Sequence, residues 1–564
     1  MNSFLPLVLP LLLVCAVACD GGPPDDPVDA ATSAESAAGP PWFEEVSAHS
    51  GLVFRHLSGH RKRPLFPEII GGGVALVDVD DDGDLDAYLV QSGSLVDPGT
   101  EAARNRLFLN RGDGSFDDAT EGSGADDHGY GMGVAAGDVD NDGDLDLYVS
   151  NYGPNALLRN DGGGKFTNVA GEAGVDDASW GTSAAFVDYD RDGDLDLFVV
   201  NYVNWSVSNE QDCYNTAGVP DYCLPTNYNA PAMDLLYSNR GDGTFKDVTA
   251  SSGIQNAFGN GLGIVAADFN GDGWIDVFVA NDTMMNQLWI NRQGKEFRDE
   301  ALLRGCALDE HGLAKAGMGA AAEDLDDDGD QDLMVVNLQG QTDSYFRNDD
   351  GFFTDQTGTI GLGGLSRKFT RFGIGLVDFD NDGHLDFYQA NGKVMMSGEG
   401  DADRYAETNL VFRSNGTGRF TELLPRGGTA APLVGTSRAA AFGDLDGDGG
   451  VDVVVVNRDG PAYLLRNIVP DRGNWVRVRA LDRHGRDALG AVLTLSHGGR
   501  TVTRVVRAAY SYCASSDPGV HVGLGSSGGL ESVRVDWPDG TTESFGAYDA
   551  GRTIVLRQGQ SQEL

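Results

Sequence analysis

The sequence predicts an all-β fold: a seven-bladed β-propeller followed by a small C-terminal all-β domain. First, the nine-residue motif D-x-[DN]-x-D-G-x-x-D occurs seven times, and successive copies begin 50 to 80 residues apart, which is the spacing of propeller blades with loop insertions. Second, apolar runs and turn signals alternate around every copy, so each unit supplies four short strands. Third, 41% hydrophobic residues and 79 glycines indicate a folded, turn-rich chain rather than a disordered one.

The N-terminal residues have the pattern of an export signal. Residues 1–18 hold an apolar run that is too short to span a bilayer as a stable helix. The run ends at Cys19 in a sequence that resembles a bacterial lipobox, although Ala16 stands where Leu is usual. We favour a lipoprotein, anchored at the cell envelope only through a lipid on Cys19; ordinary cleavage, which gives a freely secreted protein, is the alternative. Residues 19–41, rich in Pro, Gly, Ala and Asp, are predicted to be a disordered tether.

The charge and the cysteines limit the classes of function. The chain has 86 acidic and 40 basic residues and a net charge of -46, so nucleic acid would be repelled and is not expected as a partner. Cys213 and Cys223 lie close together in one polar loop, and in an exported protein they are predicted to form a disulfide. Cys306 and Cys513 are expected to be buried free thiols.

The propeller is predicted to span residues 42–467. In each unit a Gly-rich step leads into the first strand, as at residues 131–136, and the motif leads into a second apolar strand, as at 145–149. A third strand then ends in an N-x-G-D-G-x-F hairpin, as at 239–245, which opens the fourth strand. The last unit lacks a fourth strand. Residues 42–46 match that strand, so we expect them to pair with the last unit and close the ring.

The repeated motif has the pattern of a calcium-binding loop. Carboxylates crowded into nine residues would repel one another without a cation, alternating hard oxygen ligands suit Ca²⁺, and Gly at position 6 permits a sharp turn. We assign side-chain ligands to positions 1, 3, 5 and 9 and a backbone carbonyl to position 7. In chain order, the predicted ligands are Asp78, Asp80, Asp82, Asp84 and Asp86; Asp138, Asp140, Asp142, Asp144 and Asp146; Asp188, Asp190, Asp192, Asp194 and Asp196; Asp268, Asn270, Asp272, Trp274 and Asp276; Asp324, Asp326, Asp328, Asp330 and Asp332; Asp378, Asp380, Asp382, His384 and Asp386; and Asp444, Asp446, Asp448, Gly450 and Asp452.

Three other interpretations of the motif fit less well. An EF-hand requires Glu at position 12, where the seven copies hold Leu89, Val149, Val199, Val279, Val335, Gln389 and Val455. The flanks are strand-like, so we expect a strand–loop–strand unit. Plain solvated turns would not need the same carboxylates in seven copies. Mg²⁺ demands stricter geometry and keeps its waters, which disfavours it.

Two stretches of the chain resemble known families. Residues 42–467 resemble the FG-GAP/VCBS repeats that build the seven-bladed propeller of integrin α chains, and this resemblance implies Ca²⁺ in the hairpin loop of each blade. Residues 468–564 resemble the ASPIC/UnbV domain at 473–475, 486–491, 521–525 and 537–540. The family often carries Gly and Ser around residues 508–515, and this chain differs there. The combination is similar to the cartilage acidic protein 1 family and implies extracellular adhesive or matrix roles without a reaction.

A candidate ligand face lies opposite the calcium loops. Each loop joins a first strand to a second, so the connections from second to third strands must lie on the other face. Three of these are long, at about 92–105, 202–234 and 392–409. Near them, residues entering the first strands include Tyr130, Trp180, Lys315 and Arg371, which we predict to contact a ligand. The alternative for Tyr130 and Trp180 is packing between blades.

The sequence holds no H-E-x-x-H or P-loop motif. We therefore expect a binding protein rather than an enzyme: an exported calcium-binding module for an extracellular protein or glycan, acting in cell-surface binding or adhesion. A dedicated glycan-binding protein and a hydrolase or lyase acting on polysaccharide are the alternatives. The calcium loops would mask in the sequence the paired carboxylates that such an enzyme needs.

Overall fold

Short β-strands make up most of the computed structural model, which describes residues 39–96, 104–396 and 403–561. The predicted signal segment, Cys19 and the tether up to residue 38 lie outside the described residues. No helix in these described ranges is long and apolar enough to cross a membrane. The predicted all-β class is confirmed.

Seven sheets, counted within the described ranges, follow one another along the chain, and each contains one copy of the motif between its first and second strands. Each has four antiparallel strands, and sheet 1 has a fifth, parallel strand in addition. Their strands, in side-by-side order, are: sheet 1, Val74–Val77, Asp86–Leu89, Arg106–Asn110 and Phe116–Asp118; sheet 2, Tyr130–Gly137, Asp146–Tyr152, Ala156–Asn160 and Phe166–Asn168; sheet 3, Gly181–Val187, Asp196–Asn201, Leu235–Asn239 and Phe245–Asp247; sheet 4, Gly261–Ala267, Asp276–Asn281, Gln287–Asn291 and Phe297–Asp299; sheet 5, Gly317–Glu323, Asp332–Asn337, Ser344–Asp349 and Phe352–Asp355; sheet 6, Arg371–Val377, Asp386–Asn391, Leu410–Ser414 and Phe420–Glu422; sheet 7, Ser437–Gly443, Asp452–Asn457, Tyr463–Asn467 and Phe43–Glu45.

The first strands of the sheets form a cycle of contacts. Each packs against the first strand of the next sheet, and that of sheet 7 packs against that of sheet 1. Glycines allow this close approach: a Cβ on Gly133 would lie 2.1 Å from the Thr182 carbonyl oxygen, and a Cβ on Gly319 would lie 2.1 Å from that of Phe372. The Gly-rich step before each motif therefore follows from the convergence of the inner strands.

Sheet 7 joins the two ends of the propeller. Phe43–Glu45 pairs antiparallel with Tyr463–Asn467, with Phe43 opposite Asn467 and Glu45 opposite Leu465. The Phe43 ring is buried and meets Phe379 edge-on, 5.1 Å between centroids. The expected closure by the first strand of the described chain is thus confirmed, and it removes an exposed sheet edge.

The connections contain short helices and two small ribbons. The α-helical turns are Ser47–Ser50, Ala170–Ala173, Pro225–Tyr228, Thr249–Ser252, Ala301–Arg304 and Gly363–Ser366, and the 3₁₀ turns are Phe66–Ile69, Val207–Asn209, Ile254–Asn256 and Arg426–Gly428. One ribbon pairs Cys213–Tyr214 with Pro220–Asp221, and the other pairs Glu407–Thr408 with Val434–Gly435.

The residues after the propeller form a second set of sheets. One has the strands Val520–Gly525, Asn474–Leu481 and Arg552–Arg557; a second has Arg500–Val505, Val492–His497, Ser532–Asp536 and Thr542–Phe545; a third pairs Gly529–Leu530 with Tyr548–Asp549. Alternate apolar side chains of these strands, among them Val476, Leu493 and Val533, make a core of their own. The predicted all-β character of this C-terminal part is present.

Residues 510–516 of this second part, the central segment, lie among the first strands of the propeller. Ala514–Ser515 adds a parallel fifth strand to sheet 1. The Ser511 amide donates to the Ala320 carbonyl at 2.7 Å, and the Cys513 amide donates to the Ser183 hydroxyl at 3.1 Å. One segment therefore contacts sheets 1, 3 and 5, which places it where the inner strands converge. The sequence differs from the family pattern at these residues, but that difference did not predict that the segment lies among the inner strands.

Candidate metal centres

Each motif loop is held by two residues with left-handed backbone. In the second loop, Asn141 at position 4 has φ 62° and Gly143 at position 6 has φ 101°. Position 4 has positive φ in all seven loops, where it holds Asp81, Asn141, Arg191, Gly271, Asp327, Asn381 and Gly447. Left-handed backbone favours Gly, Asn and Asp, so position 4, which the motif left free, is constrained by conformation.

Backbone amides orient the predicted ligands in the same way in every loop. In the second loop, the Gly143 amide donates to Asp138 Oδ2 (3.0 Å), the Val139 amide to Asp146 Oδ2 (2.9 Å) and the Asp144 amide to Asp142 Oδ1 (3.0 Å). The equivalent three bonds recur in the other six loops. The amides fix one oxygen of position 1 and turn the other toward the middle of the loop.

The remaining oxygens converge and lack partners. One oxygen each of Asp138, Asp140 and Asp146 lie within 4.8 Å of one another, and positions 1, 3 and 9 converge in the same way in loops 1, 3 and 6. In loop 5 the converging set is Asp324, Asp326 and Asp328. The Oδ1 atoms of Asp138 and Asp140 are buried and accept no hydrogen bond. The same holds for the Oδ1 atoms of Asp78, Asp80, Asp188 and Asp444. Buried carboxylate oxygens without donors are costly unless a cation binds them, so these loops fit a hard divalent ion.

Burial makes these carboxylates difficult to ionise. It raises the pKa of Asp146 to about 8, although the amides of Val139 and Asn160 oppose the shift. It likewise raises the pKa of Asp196 to about 9 and that of Asp378 to about 8. A cation in the loop would favour the ionised form and offset this cost.

The predicted ligands differ in how they are placed. Positions 1 and 9 are buried or half-buried in every loop, whereas position 5 is exposed in several, as at Asp82 and Asp142. Some exposed carboxylates pair with arginines: Arg347 bonds to Asp326 (2.5 Å) and Asp328 (2.8 Å). In loop 4, the Trp274 ring at position 7 lies under the Arg191 guanidinium, with 4.2 Å between the ring centroid and the guanidinium carbon.

The four residues predicted to form a ligand face are occupied by internal contacts. Tyr130 and Trp180 are buried, and the Tyr130 hydroxyl donates to the Ser58 carbonyl at 2.9 Å. Arg371 is fully buried and pairs with Asp343 at 2.8 Å. Lys315 donates to the hydroxyls of Thr342 and Ser344 and to the Asp343 carbonyl. The burial of Tyr130 and Trp180 agrees with the packing alternative, and ligand contact by these four residues stays a prediction.

The long 202–234 connection explains this burial. A disulfide joins Cys213 and Cys223, and the connection packs against the 3₁₀ turn Phe66–Ile69. The Tyr228 ring stacks on Phe66 at 4.9 Å, and the Trp205 indole donates to Glu210 at 2.7 Å. Trp205 and Tyr228 of this connection therefore serve packing, whereas Tyr214 is exposed. Cys306 and Cys513 are buried free thiols.

An asparagine at the end of the third strand joins neighbouring sheets, a role that was not recognised from the sequence. The Asn160 side-chain amide donates to the carbonyl of Val79 (2.8 Å), which is position 2 of the preceding loop, and to that of Leu145 (3.3 Å) in its own loop. Asn110, Asn239, Asn291, Asn348 and Asn467 make the same pair of bonds. Sheet 6 has Ser414 at this position. The repeated Asn of the N-x-G-D-G-x-F hairpin was the available signal.

The second domain contacts the same loops. Arg486 donates to Asn141 Oδ1 at 2.6 Å and to the Gly193 carbonyl. Arg500 pairs with Asp327 at 2.8 Å, and the His521 ring bonds to Asn381 Oδ1 at 2.8 Å. Position 4 of loops 2, 5 and 6 thus contacts the second domain directly.

Comparisons with known families agree with this architecture. The FG-GAP-like repeat family matches residues 78–149, 138–199, 214–279 and 324–388, and the ASPIC and UnbV family matches residues 481–563. Cartilage acidic protein 1 from Homo sapiens is 27% identical over 342 residues, which are 58% of this chain and 40% of that protein. The Xenopus tropicalis protein is 26% identical over 340 residues, with the same coverage of both chains. The chain therefore matches about two fifths of the length of these curated relatives.

Solved structures show weaker similarity. A Burkholderia pseudomallei lectin aligns with a TM-score of 0.41 and 11% identity, covering 70% of this chain and 96% of the lectin. An Agrocybe aegerita lectin that recognises non-reducing terminal N-acetylglucosamine aligns with a TM-score of 0.38 and 16% identity, covering 69% of this chain and 86% of that one. A Bacillus licheniformis rhamnogalacturonan lyase aligns with a TM-score of 0.38 and 13% identity, covering 76% of this chain and 75% of that one. At these scores we infer nothing about function from them.

Proposed function

We propose that this chain, which carries FG-GAP-like repeats followed by an ASPIC and UnbV domain, is an exported calcium-binding β-propeller that acts as a binding or adhesion module at the cell surface. The observation that supports calcium binding most strongly is the convergence of buried carboxylate oxygens without donors in loops that share one hydrogen-bond pattern. We further propose a seven-bladed ring over residues 42–467 and a second domain over 468–564. The closed cycle of first-strand contacts supports the ring.

Calcium would stabilise the protein rather than take part in a reaction. The side chains at positions 1, 3 and 5 and the backbone carbonyl at position 7 would bind the ion from the loop, and Asp at position 9 from the start of the second strand. Position 3 is Asn270 in the fourth loop and Asp in the other six. The ion would thereby join the first two strands of a sheet. It would also relieve repulsion among carboxylates that burial makes hard to ionise. Because Arg486 and Arg500 contact the loops, an ordered loop also preserves the surface on which the second domain packs.

Export has one support within the described residues. The disulfide between Cys213 and Cys223 fits an oxidising compartment, since cytosolic thiols are normally kept reduced. A lipid anchor at Cys19 and free secretion remain the two proposals for the fate of the exported protein. Metabolic labelling with a radioactive fatty acid distinguishes them: labelled wild type with unlabelled Cys19→Ser indicates the anchor, and unlabelled wild type found in the medium contradicts it.

Calcium titration tests the central proposal. We expect heat of binding by calorimetry and a rise in melting temperature over the chelated protein, because a ligand that binds only the folded state stabilises it by about 2.7 kcal/mol per site at a hundredfold excess over Kd. Asp138→Ala should remove one equivalent of calcium. Asp161→Ala, which changes an aspartate outside the motif loops, should leave the stoichiometry unchanged. Equal melting in calcium and in EGTA would contradict the proposal.

A further inference from the structure

The junction between sheets 5 and 6 differs from the other six junctions. Elsewhere the third-strand asparagine donates to position 2 of the preceding loop and to position 8 of its own loop. At this junction those carbonyls belong to Leu325 and Leu385, and the Ser414 hydroxyl donates to neither within the described residues; it accepts the Gly416 amide at 3.3 Å. A cleft of about 510 Å³ opens here, and Leu325, Leu385 and Ser414 all line it.

The walls of this cleft combine apolar and polar groups. Leu325, Leu385 and the buried side chains of Ile360 and Phe420 supply an apolar surface. Gln356 adds a side-chain amide that has no hydrogen-bond partner among the residues the structure describes. Most of the residues that line the cleft are polar, and its volume falls within the range of small-ligand sites. An apolar strip beside amide donors suits a sugar ring, which has hydroxyls at its edge and C–H groups on its face.

The charge of the cleft is opposite to that of the protein. Four arginines line it, Arg347, Arg419, Arg500 and Arg504, against three aspartates, in a chain with a net charge of -46. Arg500 is paired with Asp327. Arg419 is exposed, and its guanidinium makes no hydrogen bond or ion pair with the described residues. Guanidinium groups recognise carboxylates in bidentate fashion, so an unpaired arginine at the rim favours an acidic ligand.

We infer that the cleft between sheets 5 and 6 binds an acidic saccharide, with the apolar strip against the sugar ring and Arg419 against its acid group. This inference rests on the proposed role as an extracellular binding module and names its ligand class. Asp324 and Asp326 of loop 5 also line the cleft, and calcium bound there would make it more positive. Arg500 and Arg504 come from the second domain, so the complete site requires both parts of the chain.

The test uses the full chain, equilibrated with calcium, and a galacturonic acid trisaccharide as the probe. We expect calorimetry to show binding that is at least about tenfold tighter than that of the neutral galactose trisaccharide, a difference of about 1.4 kcal/mol. Ser414→Asn supplies the missing asparagine, so it should narrow the cleft beside Leu325 and Leu385 and weaken binding at least about tenfold without lowering the melting temperature. Arg419→Ala should also weaken binding. Arg240→Ala, which removes an exposed arginine from the equivalent hairpin of sheet 3, is the matched control and should bind as the wild type does.

Four results would overturn the inference: no binding of the acidic probe, equal binding of the neutral one, full displacement by inorganic sulfate at equal concentration, or unchanged binding by Ser414→Asn. Calcium binding is measured on the same samples. Ser414→Asn should bind calcium as the wild type does. A protein that binds calcium but not the saccharide contradicts only the saccharide site in the cleft. A protein that does not bind calcium contradicts the proposed function.

Discussion

At the scale of single residues, the seven loops show a conformational requirement that the spacing of the carboxylates does not reveal. Position 4 has φ between 56° and 69° whether the residue is Asp, Asn, Arg or Gly. Glycine in the fourth and seventh copies therefore reflects the backbone rather than tolerance of any residue. A β-branched side chain is the least compatible with this region because its Cβ crowds the following carbonyl oxygen.

Asp81 gives a direct test of this requirement, because it is exposed and has φ 61°. We expect Asp81→Gly to leave the free energy of unfolding unchanged or to raise it by up to about 1 kcal/mol, whereas Asp81→Val should lower it by about 1–2 kcal/mol. Chemical denaturation in saturating calcium measures both. Equal stability of the two variants would mean that the loop relaxes out of the left-handed region.

At the scale of elements, the carboxylate positions could be predicted from the sequence because ligand spacing is local. The junctions between sheets could not, because they depend on which carbonyl an asparagine reaches in another unit. Asn160, for example, contacts Val79, whose motif lies in the preceding sheet. The hairpin consensus showed that Asn recurs, and only the three-dimensional arrangement gives the reason.

The asparagine bonds should contribute measurably to stability. Asn160→Ala leaves the carbonyls of Val79 and Leu145 without this donor, and a buried group left unpaired costs about 1–3 kcal/mol. Ser414→Ala is the natural control, because Ser414 does not make this pair of bonds; we expect a cost below about 0.5 kcal/mol. Denaturant unfolding of the two variants compares them. Similar losses would contradict the assigned role of Asn160.

At the scale of the whole molecule, the all-β architecture and the ring closure followed from repeats and strand patterns, but the central segment did not. Residues 510–516 show no periodicity that distinguishes an exposed turn from a segment inserted among the sheets of the propeller. Their partners, such as Ser183 and Ala320, lie in distant units. The packing of Trp205 and Tyr228 could not be predicted either, since they pack inward against residues that no local pattern connects to them.

The central segment should make the propeller and the second domain unfold together. Tyr512 is fully buried, meets the Phe372 ring edge-on at 4.9 Å and donates to the Ile70 carbonyl at 3.2 Å, so unfolding of either part exposes it. We expect one calorimetric transition for the full chain. Tyr512→Ala should lower its free energy of unfolding by about 3–5 kcal/mol, the usual cost of removing a large buried aromatic ring. Tyr214→Ala, at an exposed tyrosine, should change the free energy of unfolding little. Two separate transitions in the wild type would show that the inserted segment does not couple the two parts. A core that the propeller and the second domain share must unfold together with both of them.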